Sequence, residues 1–262
     1  MRLRFYLVRG LVGAAVFSIG CSKSVKNVAP ASSGASTPAP VFQVDPSTAG
    51  TITGVIHYQG PRPVHKLIDM SDDPACVAAH KGKAYDESLM VGRGGTLNNA
   101  FVYIKSGLEG KHFAVPTTPV VIEQKGCWFH PRVLGIQTNQ TFQVVNSDEL
   151  THNIHPMAEV NREWNHSQGP GDPPMNRRFV KAEVMIPVKC NIHSWMHAYI
   201  GVLDHPYFAV SKEDGSFEIA NLPPGTYTLA VWHEGLGTKE QQVTLQPGQH
   251  AVLDFTFSNR EK

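Results

Sequence analysis

From residue 50 onward the chain is built of short runs in which apolar and polar positions alternate. Thr51–Tyr58, Ala100–Lys105, Val120–Glu123, Val133–Gln137 and Thr141–Asn146 read this way, and so do Lys181–Val188, Ser216–Ile219, Thr226–Trp232, Gln241–Leu245 and Ala251–Phe257. Side chains on a strand point alternately to opposite faces, so a period of two over such runs predicts half-buried strands. Turn signals such as Asp214-Gly215 and Pro223-Pro224-Gly225 separate the runs at the spacing of β-sandwiches. One stretch, Ala75–His80, reads as a short helix, and the polar, Pro- and Gly-rich stretch Asn161–Arg178 reads as a long loop. The fold class expected is all-β.

The first residues follow another pattern. Arg2, Arg4 and Arg9 precede the apolar run Leu11–Ile19, which is too short to span a bilayer but suits a signal peptide. The run ends in Ser18-Ile19-Gly20-Cys21, which resembles a bacterial lipoprotein processing site. That resemblance implies lipidation at Cys21 and a protein exported to the periplasm or cell envelope on a lipid anchor; an ordinary cleaved secretory peptide is the alternative. Residues 22–48, rich in Ser, Ala and Pro, read as a flexible linker.

Charge narrows the partners. The 262 residues carry 23 Lys and Arg against 22 Asp and Glu, and without the leader's three arginines the balance is 20 to 22. A near-neutral chain lacks the basic footprint that nucleic acid requires, so no nucleic-acid partner is expected. Thirteen histidines beside four cysteines point instead to metal, since imidazole and thiolate are the ligands that borderline and soft metals take.

With Cys21 in the leader, Cys76, Cys127 and Cys190 remain. An odd number in an exported chain implies that one cysteine does something other than pair. Cys76 and Cys127 form a possible disulfide; alternatively, with His80 and His130, they offer two metal half-sites. Cys190 opens the cluster Cys190-Asn191-Ile192-His193-Ser194-Trp195-Met196-His197, directly after a predicted strand. Thiolate, imidazole and thioether within seven residues suit a mononuclear copper site for electron transfer, which takes one thiolate, two imidazoles and a weak axial thioether. The second imidazole must come from elsewhere, and His152 and His155 are the candidates.

Residues 117–204 resemble a cupredoxin, the blue copper β-sandwich. The resemblance rests on Phe129-His130-Pro131, Thr138-Asn139-Gln140-Thr141, Asn146-Ser147-Asp148, His152-Asn153 and the Cys190-x2-His193-x2-Met196 loop, whose length is similar to that of amicyanin. It implies one type 1 copper ion held by His152, Cys190, His193 and Met196, with Asn153 tying the two ligand loops together. His155 stays open as the rival of His152, and His197 as the rival of Met196. A binuclear centre would need a second cysteine in the loop. A multicopper oxidase would need histidines flanking the cysteine, where Lys189 and Asn191 stand. Structural zinc remains chemically possible.

A second resemblance lies at the C-terminal end. Asp214-Gly215-Ser216-Phe217-Glu218-Ile219 and Asn221-Leu222-Pro223-Pro224-Gly225-Thr226-Tyr227-Thr228-Leu229 resemble the carboxypeptidase regulatory-like, or transthyretin-like, β-sandwich. Thr51–Tyr58 and Ala100–Ile104 resemble opening strands of the same unit. Two Greek-key sandwiches are therefore expected: residues 49–116 and 205–258 forming the regulatory-like unit, and 117–204 the cupredoxin, either inserted between those halves or arranged in tandem. Trp195, inside the ligand loop, could shield the metal or offer a patch to a redox partner.

Three functions fit: a non-enzymatic carrier of single electrons for a redox protein partner; a module that binds carbohydrate, whether a glycan or polysaccharide, or an envelope protein, with an accessory copper site; and copper storage or delivery.

Overall fold

The computed structural model describes residues 40–259. The leader, its Cys21 and the linker as far as residue 39 lie outside the described residues. The strands are β1 (Gly50–Gln59), β2 (Phe101–Ser106), β3 (Val120–Gln124), β4 (Phe129–His130), β5 (Val133–Gln137), β6 (Phe142–Asn146), β7 (His152–Pro156), β8 (His166–Gln168) and β9 (Met175–Arg177). They continue with β10 (Glu183–Lys189), β11 (His197–Leu203), β12 (Phe208–Val210), β13 (Ser216–Leu222), β14 (Gly225–His233), β15 (Gly237–Leu245), β16 (His250–Val252) and β17 (Phe255–Ser258). One α-helix, α1 (Pro74–His80), is present among the described residues. The protein is all-β, as the alternation predicts.

The strands form two sandwiches. The central one packs the sheet β5-β11-β10-β7-β8 against the sheet β4-β3-β6-β9. Ile122, Phe129, Phe142, Val144, Ile154, Ile186 and Ile200 fill the space between them. The outer one packs β13-β1-β16, with β17 also on β1, against β12-β2-β14-β15. Strand β1 pairs with β13, setting Ile52 opposite Ile219, and β2 pairs with both β12 and β14. Strands that precede the central sandwich thus find their partners after it. Phe217 and Ile219, and Tyr227, Leu229 and Val231, alternate positions of their strands, are buried with Leu222 in one apolar cluster with Ile52, Ile56 and Val102.

The segment between β1 and β2 does not stay with the outer sandwich. Met70, Cys76 and Ala84 are buried in the core of the central one. Helix α1 starts where Asp73 caps it: its carboxylate accepts from the amides of Ala75 and Cys76, and Pro74 fills the first turn, where a missing N–H costs nothing. Cys76 on this helix is disulfide-bonded to Cys127. Those sulfurs are therefore committed to each other, and the half-sites Cys76 with His80 and Cys127 with His130 are excluded in this state.

Where the sandwiches meet, Phe101 and Tyr103 of β2 lie with Val133 and Leu203 in a third apolar cluster. Gly135 and Gly201 leave room for aromatic rings there: a Cβ at Gly201 would fall 2.3 Å from the Phe101 ring, and one at Gly135 equally close to Phe208.

The expectation of a featureless loop over Asn161–Arg178 is corrected. It contains β8, paired with β7, and β9, paired with β6. Both are three residues long, polar except for Met175 and exposed except for Gln168 and Met175, so no period of two was available to read. The run Ala251–Phe257 is likewise two strands, interrupted at Leu253-Asp254.

Candidate metal centre

Strands β10 and β11 run antiparallel, with Lys189 opposite His197, and the seven residues from Cys190 to Met196 close the hairpin between them. The Cys190 amide donates to the Met196 carbonyl at 3.2 Å, and the Met196 amide to the His193 carbonyl at 3.0 Å. These bonds turn the loop inward, so Cys190, His193 and Met196 are all buried. The neighbouring strand β7 begins with His152, which is fully buried.

The arrangement brings three of the predicted ligands to one point. Donor atoms of His152, Cys190 and His193 lie within 4.8 Å of one another. The two Nδ1 atoms are 3.1 Å apart, and the Cys190 Sγ is 3.8 Å from the His193 Nδ1. Met196, fully buried, belongs to the same core cluster as Cys190.

The proton inventory of the two imidazoles decides what the site can hold. His152 Nε2 is 2.8 Å from Asp148 Oδ2, and His193 Nε2 is 3.0 Å from Asp73 Oδ2. An ionised carboxylate can only accept, so each Nε2 carries the proton and donates. Burial pushes the Asp148 carboxyl up, but the amides of Cys127 and Gly126, with His152, outweigh it and hold the group below its usual range. Hydrogen bonds from His193 and from the Cys76 and Ala75 amides hold Asp73 down likewise. Burial, the largest influence on His152, keeps its pKa below the ordinary value against the pull of Asp148, so the ring is neutral. With the proton of each ring on Nε2, the two Nδ1 atoms face each other and a sulfur as acceptors. That arrangement can hold a cation, since one ion at the ordinary metal–imidazole length of about 2 Å spans the gap between the nitrogens.

The sulfur is held in place too. The amides of Asn153, Ile192 and His193 each donate to Cys190 Sγ at 3.4 Å. Asn153 accepts the Asn191 amide on its Oδ1 at 3.1 Å and donates to Asn165 and to the His166 carbonyl, so it ties the His152 strand to the Cys190 loop.

The rival ligands lie elsewhere. His155 is three residues from His152 on the same strand and faces the other way, with Nε2 2.6 Å from Glu163 and Nδ1 3.4 Å from Asn191. His197 is exposed at the start of β11. His80 bonds the Gly126 carbonyl through Nδ1. Two functional groups escaped the sequence reading. Asp148 stands four residues before His152, a spacing that could have found it. Asp73 is readable as a helix cap, but nothing local to it announces a contact with His193.

Residues 198–258 match the carboxypeptidase regulatory-like domain. No curated protein matches the chain. Among solved structures it is similar to an oxidized mutant of amicyanin, with 18% identity over 38% of this chain and 97% of that one at a TM-score of 0.29. It is also similar to a purple cupredoxin from Nitrosopumilus maritimus, with 19% identity over 29% and 81% at 0.25. A Cu-containing nitrite reductase from Thermus scotoductus SA-01 is 21% identical over 38% of this chain at 0.31, and the match spans 26% of that reductase.

Proposed function

We propose that the protein is a type 1 copper protein that carries single electrons between redox partners and transforms no substrate itself. The observation that carries this reading is the pair of buried imidazoles whose Nδ1 lone pairs face each other at 3.1 Å beside Cys190, each backed by a carboxylate on Nε2. Thiolate, two imidazoles and a buried thioether make a mixed soft donor set of the kind that serves both oxidation states of copper. Copper, when bound there, supplies a one-electron couple. The chain's contribution is to hold the donors fixed: the hairpin bonds close the Cys190 loop, Asn153 locks it to β7, and Asp148 and Asp73 set the ring orientations. Donors fixed in this way keep their positions when the charge changes, which keeps reorganisation small. Burial of His152, Cys190, His193 and Met196 leaves water and small substrates no direct approach.

The leader sequence supports a place in the periplasm or cell envelope on a lipid anchor at Cys21, with a redox protein as partner. The regulatory-like sandwich then serves as the support into which the metal sandwich is set.

The test is the optical and EPR spectrum of copper-loaded protein. Intense visible thiolate-to-copper absorption and a small copper hyperfine splitting are expected. A colourless Cu(II) complex with ordinary hyperfine splitting would reject the assignment, and preferential tight binding of zinc would replace it with a structural site.

A further inference from the structure

The outward edge of His193 does not meet solvent. Its Nε2 is occupied by Asp73, the residue is 2% exposed, and the cap that begins at Asp73 is stapled to the central sandwich through Cys76 and Cys127. An electron leaving the donor set has to pass through another group, and tunnelling favours the shortest packed path.

One aromatic side chain provides it. The Trp195 ring lies 5.3 Å from the His193 ring, centre to centre, tilted by 36°. Its Nε1 donates to the Cys127 carbonyl at 3.1 Å, which fixes the ring. Trp195 is partly exposed and lines an open surface cleft of about 460 Å³ whose wall includes Trp128. Three carboxylates, Asp69, Asp86 and Glu87, line the same cleft against one free cation, Lys66, because Arg132 is engaged by Glu234 through bonds of 2.6 and 2.9 Å. Leu67, 55% exposed, adds an apolar contact at the rim. A second groove, floored by Ala75, Ala78 and Ala79, sets Lys81 and Lys125 beside Asp148 and Glu149 and reaches the site through Asp148, without a tryptophan stacked on a ligand.

We propose that Trp195 is the electron exit of the metal centre and that its cleft docks a basic redox protein, with an apolar contact at Trp195 and Leu67. The inference rests on the copper reading above and names the partner's chemistry. One electron passes from the reduced centre to the acceptor; no bond forms or breaks, and Trp195 ends unchanged.

The experiment uses the copper-loaded full chain and two outer-sphere oxidants of opposite charge, tris(phenanthroline)cobalt(III) and hexacyanoferrate(III), followed by stopped flow. At low salt the cation should react faster as its concentration is raised against wild type, and this advantage should shrink as salt screens the cleft. Asp69→Asn combined with Asp86→Asn should slow the cation about tenfold and spare the anion. Trp195→Leu should slow the cation by a similar factor with visible spectrum and reduction potential unchanged, and Trp195→Phe, which keeps a ring, should recover most of the rate. Spectrum and potential are the readouts that a merely structural role for Trp195 would disturb. Unchanged rates in Trp195→Leu with intact colour overturn the exit while leaving the electron-carrier reading in place. Anion preference that depends on Lys81 and Lys125 moves the docking surface to the groove beside α1 and overturns it equally. Absence of a reversible copper couple in wild type removes the copper reading, and this proposal with it.

Discussion

The two sandwiches bury histidines in different company. In the outer one, His205 Nε2 bonds the Ile104 carbonyl at 2.9 Å and its Nδ1 accepts the Tyr207 amide at 3.2 Å, while His233 Nδ1 accepts the Gly235 amide. These imidazoles are satisfied by backbone and present no bare lone pair on the nitrogens so bonded. In the central sandwich His152 and His193 are buried as deeply as His233, while His205 is half-buried, yet their partners are carboxylates on Nε2, and the nitrogens left over converge on a thiol. Burial of a histidine is therefore no sign of a metal site. The group behind the ring, carbonyl and amide in one case and carboxylate in the other, sets which nitrogen is free and what it can bind.

The sharpest way to break this comparison is Cys190→Ser. It should abolish the visible absorption and sharply weaken Cu(I) binding, read by absorption and chelator competition, with the β-sheet circular dichroism retained, since a hard hydroxyl does not replace a soft thiolate. Retained colour and affinity would show that the sulfur is not a ligand.

Next in size is the contrast between His152→Ala and His155→Ala. The first should lose the type 1 spectrum; the second should keep it, because His155 is turned to Glu163. Equal losses would mean that the strand presents both rings to the metal.

Asp148→Asn tests the group behind the ring. It keeps the shape but lets the Nε2 proton and the ring tautomer change, so copper affinity should fall about 10- to 100-fold while the colour of the loaded form persists. An unchanged affinity would leave the tautomer unconnected to Asp148.

The smallest effect concerns acid. Burial lowers the pKa of His233 to about 4, and Arg132 adds to the shift. Between about pH 6.5 and 4 the unfolded chain then binds a proton there that the folded chain does not, so stability is present above that window and lost as pH falls through it, by at most about 3 kcal/mol. Denaturant titrations of metal-free protein at pH 7, 5.5 and 4 should show the decline, and His233→Gln should flatten part of it. An identical pH profile in the variant would show that the ring titrates alike in both states.

Legibility differed between elements. Strands β1 and β6 were readable because each has one face in a core and the other partly covered, so alternation survives in the residue types, whereas β2, with its first four residues all buried, was readable from its Phe, Val, Tyr and Ile content. Strand β7 was not: His152, Asn153 and Ile154 are all buried, which erases the alternation. Strand β11 was hidden for a similar reason, with Ile200, Gly201, Val202 and Leu203 buried in succession. Strands β8 and β9 exist because their neighbours offer hydrogen-bonding edges, a property of the assembled sheet.

For the candidate metal centre, the sequence alone brought the thiol, one imidazole and the thioether together, since seven residues between paired strands hold Cys190, His193 and Met196 close by chain connectivity, and the pattern is therefore local. The preference for His152 over His155 could be framed from the neighbouring asparagine, whereas the direction of each ring depended on which face of β7 met the core. Only the tertiary structure decided the carboxylate partners that make these residues a candidate cation site. Asp73 reaches His193 across 120 positions, at the cap of a helix that a disulfide spanning 51 positions ties to the central sandwich. Contacts at such separations are fixed by packing and strand pairing between distant segments, and no spacing rule along the chain encodes them.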